Sequence, residues 1–356
     1  MRTEKDLPMT KAPTTEERIL IWLPSPLGDA VMAVPALRAF RRHFASARIC
    51  FLSSPAVRQL LSPSPFCDDW LEIRPSFRQT AAQVRRGRFR TCILLKNSFS
   101  SALTAACSRI PRRIGYARDG RTWLLTDPIR PLKDSAGRFV PLPAVEYYLN
   151  IARFLGADTS DRTLTLSLEP DAPKQIIQSI PSLSSHTGPL VILVPGGAFG
   201  PSKCWPAERF AQTADALKER CNALVILSVA PNPNETAIAQ AIRRCTCHPL
   251  PSTADVPLNL AALKALIARA DLVITNDTGP RHIAIAFQRK VITLFGPNNP
   301  QWTQTGWTKE IQIIGTGPCV PCDKPVCRQK QHYCMESITV EQVLQAAEQF
   351  LTEKPQ

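Results

Sequence analysis

Three short stretches of this chain hold the side chains that could do chemistry. In "TNDTGPRH" the sequence passes from a β-branched apolar segment into a helical pattern through Asp277, Thr278, Gly279 and Pro280. Proline at a first helical position loses nothing by lacking an N–H, and glycine lets the backbone approach a ligand closely. The free N–H groups of such a helix start, with its partial positive charge, suit an anion such as a phosphate. Thr278 adds a hydroxyl. Asp277 either caps the helix or accepts from a ligand hydroxyl, and His282, one turn in, either faces the same site or packs into the core.

A second stretch, "VPGGAFGPSKCWPAERF", leaves a strand at Val194, passes Gly196, Gly197 and Gly200, and reaches Lys203 before a helix opens near Pro206. Glycine-rich backbone with one lysine is what a diphosphate needs, Lys203 serving as a point charge on the leaving oxygen. No Gly-Lys-Ser/Thr triplet follows, so this is not a Walker loop. Trp205 reads as a packing residue. In the third stretch, "LPSPLGDAVMAVPAL", Gly28 makes a turn and Asp29 stands at or just before a helix start. A carboxylate there is either an N-cap worth ~1 kcal/mol or, if it points into a cleft, a general base for a hydroxyl nucleophile.

All three stretches sit where a strand gives way to a helix. "RILIWL" reads as a buried parallel strand, and "AVMAVPALRAFRRHF" carries Val31, Val34, Leu37, Phe40 and Phe44 at helical spacing. "ARICFLS", "TCILLKN", the helical "SSALTAACSR" and "RRIGYA" continue the alternation. A proline- and serine-rich stretch between Glu169 and Pro189, with one short helical piece, reads as an inter-domain hinge. Strands and helices then alternate again from "LVILVPG" to "KVITLFG". The expected organisation is a polar tail (1–17), an α/β domain (18–170), a linker (171–188), a second α/β domain (189–340) with a Cys-rich loop (319–334), and a C-terminal helix and tail (341–356). Two Rossmann-like domains facing across a cleft would place the strand-to-helix loops of both on that cleft.

At 356 residues the chain suits two domains, and its 44% hydrophobic and 20% charged residues are those of a globular protein. The N-terminus is polar and no segment approaches the ~20 apolar residues of a spanning helix, so a cytoplasmic protein with its 12 cysteines mostly reduced is expected. The net charge of +14 is uneven: residues 1–168 hold 26 Lys and Arg against 14 Asp and Glu, the remainder 17 against 15. The first half is thus suited to something anionic, or is simply a basic surface. A nucleic-acid binder would interleave aromatic with basic residues, and 14 Phe, 4 Tyr and 6 Trp are too few and scattered for that. A metal-dependent transferase would want an Asp-x-Asp pair, and none occurs in the chain.

Taken in order, "LGDAVMAVPALRAFRRHFASARI", "PRRIGYARDGRTWLLTD", "VPGGAFGPSKCWPAERFAQTADAL", "TNDTGPRHIAIAF" and "VITLFGPNNPQWTQTGW" resemble the bacterial lipopolysaccharide heptosyltransferases of glycosyltransferase family 9, most closely the second inner-core type, over about residues 18–350. The resemblance implies a GT-B fold and an inverting, metal-independent transfer of L-glycero-D-manno-heptose from ADP-heptose to a heptose of the Kdo–lipid A core, without a cofactor. Asp29 then looks like the base. Gly196, Gly197, Lys203 and the Asp277-Thr278-Gly279 loop would hold the donor diphosphate, with His282 nearby and Glu235 near the nucleotide. A phosphorylated glycolipid acceptor in the inner leaflet, reached by peripheral contact, fits the basic first half. Arg112 and Arg113, Arg38, Arg41, Arg42 and the run Arg85 to Arg90 are the candidates for that contact. Another nucleotide-sugar or acceptor on the same fold is the alternative. The chain departs from the family pattern at "PSP" before the first loop, at Cys204 after the lysine, and in the longer "LPSTADVPLNLAALKAL".

"CVPCDKPVCRQKQHYC" sets Cys319, Cys322, Cys327 and Cys334 within 16 residues, beside His332. Four thiols opening on C-x-x-C could bind a structural zinc, but the later gaps are not those of a standard knuckle, and a packed, reduced loop is the expectation.

Overall fold

The computed structural model describes residues 17–197, 199–256 and 258–352; nearly all of the expected polar tail lies outside them. The first domain is a six-stranded parallel sheet of β1 (Arg18–Trp22), β2 (Arg48–Ser53), β3 (Asp69–Glu72), β4 (Thr91–Leu94), β5 (Arg112–Tyr116) and β6 (Asp127–Ile129), in the order β3-β2-β1-β4-β5-β6. Ile19 of β1 pairs in register with Ile49 on one side and Thr91 on the other. The second domain is a five-stranded parallel sheet of β7 (Leu190–Val194), β8 (Leu224–Leu227), β9 (Leu272–Asn276), β10 (Lys290–Phe295) and β11 (Glu310–Ile314), in the order β11-β10-β9-β7-β8. Central strands such as "LVILV" are apolar along their whole length because helices cover both faces.

Three strands, β3, β6 and β11, do not stand out in the sequence, and all three are sheet edges. Half-exposed edge strands lack the continuous apolar run of the central ones. The single helix expected after β1 is two, Leu27–Met32 and Val34–His43, broken at Ala33 where Pro35 begins the second. The stretch after Glu169, read as an inter-domain hinge with one short helical piece, carries two: the helix Ala172–Ser179, which buries Ala172 and Ile176, and a second short helix, Ser182–Ser185. Both domains share one hydrophobic core, in which Ile19, Phe51 and Leu149 of the first join Val273, Leu266 and Ile283 of the second. The outer faces carry separate cores, one under Val84, Phe89 and Ala102, the other under Phe210, Leu217 and the C-terminal helix Val340–Thr352.

In each sheet the strand order reverses at one point, between β1 and β4 in the first and between β7 and β9 in the second. Loops leaving adjacent strands there diverge to opposite faces and open a crevice at the strand carboxyl ends. The loops after β1, β7 and β9 are the three singled out for chemistry.

Candidate active site

The two crevices face each other and touch through glycines. A Cβ built on Gly28 would lie 2.9 Å from the ring of His282, and one on Gly279 would lie 3.5 Å from Leu27 Cβ. Absence of a side chain at Gly28 therefore lets the helix start of the first domain abut the helix Gly279–Ala286 of the second. Two chambers open on either side of this contact. One, of about 540 Å³, is lined by Asp29, Asn97, Lys203, Asp277 and His282. The other, of about 480 Å³, is mostly apolar and runs from Gly196 and Gly197 past Val229 and Glu235 to Leu263. Pro26, Gly28, Thr278 and Gly279 border both.

Asp29 is not a cap. It lies in the first turn of the helix Leu27–Met32, whose N-cap is Pro26 and which no side chain caps. Its Oδ1 accepts from the buried Tyr148 hydroxyl at 3.3 Å. Burial raises the Asp29 carboxyl above its ordinary range; the Tyr148 hydrogen bond works against this, and the charge of Asp277 across the cleft adds to it. A carboxyl shifted that way, lining the chamber with one oxygen held by Tyr148, suits a general base.

Asp277 neither caps its helix nor is left open to a ligand. The Lys203 ammonium donates to its Oδ2 at 2.7 Å and to its carbonyl at 2.9 Å, and the Arg281 guanidinium donates to its Oδ1 at 3.0 Å. Burial alone would push Asp277 up, yet Lys203 and Arg281 together hold it below the usual carboxylate range. Arg281, fully buried, also grips Glu310 at 2.6 Å and 3.1 Å. Lys203, Asp277, Arg281 and Glu310 thus form a chain of alternating charge, and a lysine fixed this way meets an incoming anion already oriented. Phe199 covers it, its ring centroid 4.9 Å from Nζ.

Thr278 is the N-cap of Gly279–Ala286, but its hydroxyl lies 3.2 Å from that of Thr275 and caps nothing. Pro280 has no N–H and Arg281 N donates to the Thr278 carbonyl at 3.2 Å, so the helix start presents the Gly279 N–H where the two chambers meet. His282 is buried, its Nδ1 has no hydrogen-bond partner, and burial followed by the charge of Arg281 pushes it down to about 3. It is neutral at physiological pH and fills space beside Gly28 rather than moving protons. Gly196 lies close under Glu235: a Cβ there would meet its carboxylate at 2.4 Å and displace it. Glu235 itself accepts from Ala230 N at 2.7 Å, bracing the loop after β8 on the wall of the second chamber. Gly197 packs on Thr278, its built Cβ 3.2 Å from Thr278 Cγ2.

Arg112 and Arg113 are not brought to the cleft. They open β5, and the strand must run about 13 Å before its carboxyl end reaches the site. Arg112 pairs with Asp127 at 3.2 Å, and Arg113 donates to the carbonyls of Ile110 and Leu124. Arg38 and Arg42 pair with Asp161, and Arg41 with Asp68, all at the same far end. Arg85, Arg86, Arg88 and Arg90 are exposed there too. Parallel strands explain this: basic residues just before a strand fall at its amino end, opposite the crevice.

Trp205 is a packing residue, buried edge-on against Phe210 and donating to the Ile338 carbonyl at 3.0 Å. The Cys-rich segment clasps the lysine loop from behind. His332 Nε2 lies 2.7 Å from the Ser202 carbonyl, and Ser202 donates to the carbonyls of Lys324 and Pro325. Its four thiols are free, and among the described residues no group of three or more His, Cys, Asp or Glu side chains is arranged to hold a metal. Asn97, Tyr148, Arg281 and Thr303 are site residues that sequence reasoning missed. Only Arg281 left a signal, its i,i+4 spacing from Asp277.

Comparison with known proteins converges on one family. Residues 77–333 match the model of glycosyltransferase family 9 (heptosyltransferase). The chain is 29% identical to lipopolysaccharide heptosyltransferase 2 of Salmonella typhimurium over 95% of its own length and 99% of that protein's. Its structure is similar to that of the E. coli ADP-heptose LPS heptosyltransferase II, with a TM-score of 0.77, 25% identity, and 94% and 98% of the two chains covered. A glycosyltransferase family 9 protein from Veillonella parvula superposes with a TM-score of 0.80 at 22% identity, covering 95% and 98%.

Proposed function

The chain belongs to glycosyltransferase family 9, the heptosyltransferase family, and on that premise we propose that it transfers L-glycero-D-manno-heptose from ADP-heptose to a heptose of the Kdo–lipid A core. The observation that carries this reading is the convergence of Asp29 from one domain with Lys203 and the open helix start at Gly279 from the other, where two chambers meet. The apolar chamber suits the nucleoside, with Glu235 near the ribose; the diphosphate would lie over Gly197, Thr278 and Gly279. The donor sugar and the acceptor share the chamber of Asp29.

The reaction is a single displacement. The acceptor hydroxyl oxygen attacks the anomeric carbon as Asp29 takes its proton; the bond from that carbon to the diphosphate oxygen breaks, and ADP leaves with the electron pair. Attack opposite the leaving group inverts the anomeric centre. Lys203, the helix start and the fixed dipoles around them stabilise the charge that develops on ADP, at no cost of reorganisation. The chain has no Asp-x-Asp pair, and Lys203 with the Gly279 N–H would serve the diphosphate, which supports transfer without a metal. The enzyme would act in the cytoplasm, where its lipid-borne acceptor meets it at the inner leaflet. Among the described residues no helix is long and apolar enough to cross a membrane, so that meeting would be peripheral.

The test is ADP release from ADP-heptose with a core acceptor ending in one heptose, in the presence of EDTA. Acceptor-dependent release by the wild type, lowered about 100-fold or more in Asp29→Asn with ADP affinity retained, is the expected result. Release from another nucleotide-sugar in preference, or dependence on an added metal, would overturn the assignment.

A further inference from the structure

The basic residues that the sequence offers for an anionic surface lie at the far end of the first sheet, so a different face must meet the lipid if the cleft is to reach an acceptor there. β6 ends at the cleft side, and residues 130–142 follow it as a hairpin. Lys133 bridges Phe139 across it, Val140 N donates to Leu132 O at 3.2 Å, and the Asp134 carboxylate closes the turn by accepting from Ala136 N and Arg138 N. A fold this well tied would ordinarily turn its apolar side chains inward. Instead Leu132 is 64% exposed, Phe139 40% and Val140 39%, and Phe154 beside them is 45% exposed. Together they line a recess of about 870 Å³ that shares Arg118, Leu142, Tyr147 and Trp302 with the chamber of Asp29.

Cations outnumber carboxylates around this patch. Residues 129–142 hold Arg130 and Lys133 in addition to Arg138, which pairs at 2.9 Å with the Asp134 carboxylate that closes the turn. Arg118 and Lys133 stand over the Phe139 ring, 4.8 Å and 5.3 Å from its centroid. The nearby carboxylates, Asp119 and Glu146, are paired with Arg118 and Arg153. Exposed apolar side chains ringed by cations match a bilayer interface carrying anionic headgroups, where the apolar groups enter the acyl boundary and the cations meet phosphates.

We infer that the hairpin 130–142 and Phe154 dock the enzyme on an anionic bilayer surface, with the mouth of the reaction chamber facing the lipid. This rests on the reading that the acceptor is lipid-borne, but its test does not require transfer. Co-sedimentation with vesicles of phosphatidylethanolamine and phosphatidylglycerol would be compared for the wild type, Leu132→Ser/Phe139→Ser, Arg130→Glu/Lys133→Glu and, at the opposite end, Arg85→Glu/Arg86→Glu. All the changed residues are exposed, and unchanged thermal unfolding verifies the fold. Binding should fall at least about tenfold in both hairpin variants and persist in the third. Wild-type protein that ignores anionic vesicles, or binding lost in Arg85→Glu/Arg86→Glu and kept in the hairpin variants, overturns the inference. So does an equal loss of transfer to a soluble, deacylated acceptor, which would make the recess a glycan site. Vesicle binding through the hairpin without any heptose transfer would support this surface while rejecting the proposed reaction.

Discussion

Replacing Tyr148 with phenylalanine isolates what holds the candidate base. The hydroxyl donates to Asp29 Oδ1 at 3.3 Å and stabilises the carboxylate form against a burial that favours the acid. A hydrogen bond to a charged group is worth about 1.5–3 kcal/mol, and this one is long, so roughly 1 kcal/mol is a fair value. With about 1.4 kcal/mol per pKa unit, its loss should raise the Asp29 pKa by about 0.5–1 unit. The base must be ionised to act, so the acid limb of the kcat/KM profile should move to higher pH by that amount, with a nearly unchanged plateau. Asp277→Asn removes a negative charge facing Asp29 and should move the same limb to lower pH. The assay is ADP release across pH 4–9 in buffers of constant ionic strength. A Tyr148→Phe limb that stays put or moves down, or a uniform loss of rate at every pH, would refute the assignment of Asp29 as a base steadied by Tyr148.

Other consequences follow from the same geometry. Lys203→Ala leaves the buried Asp277 still paired with Arg281; it should lower stability by about 1–3 kcal/mol in urea unfolding and weaken ADP binding measured by calorimetry. Gly28→Ala puts a methyl 2.9 Å from the His282 ring at the contact between domains, and should cost about 1–3 kcal/mol and raise the KM for donor. His282 has a folded pKa of about 3, below its unfolded value, so the unfolded chain binds the proton first. Its contribution to stability is present above about pH 6.5 and is lost as pH falls toward 3, at up to about 1.4 kcal/mol per unit, a slope that His282→Asn should remove from urea unfolding measured against pH.

The loops of the site were legible because each is a local event. Glycine, a hydroxyl, a proline and a charge between an apolar strand and a helical pattern mark a strand-to-helix turn wherever they occur, and the three turns carrying Asp29, Lys203 and Asp277 were all visible that way. Roles read from local chemistry fared less evenly. Asp277 stands one residue before the N-cap Thr278, and two cations, one from the helix that follows and one from a loop 74 residues away, claim its carboxylate. Tyr148 is 119 residues from Asp29, and nothing in either neighbourhood announces the other. The basic residues of the first half were harder to place because net charge carries no address: the direction of the strands, not the count of arginines, decides that Arg112, Arg113 and the run Arg85 to Arg90 fall away from the cleft while Arg118 lies beside it.

By itself, then, the order of residues determined the two parallel sheets, since central strands must be apolar throughout and helices must show one apolar stripe, and it determined which turns could meet an anion. What only the tertiary structure decided is how those turns meet. Strand order sets the two switch points, and a glycine on each side lets the domains close to contact at Gly28 and Gly279. That contact places a carboxyl raised by burial opposite a lysine fixed by a buried ion pair. Burial and distance between residues far apart in sequence control both effects, and neither quantity exists until the chain has folded.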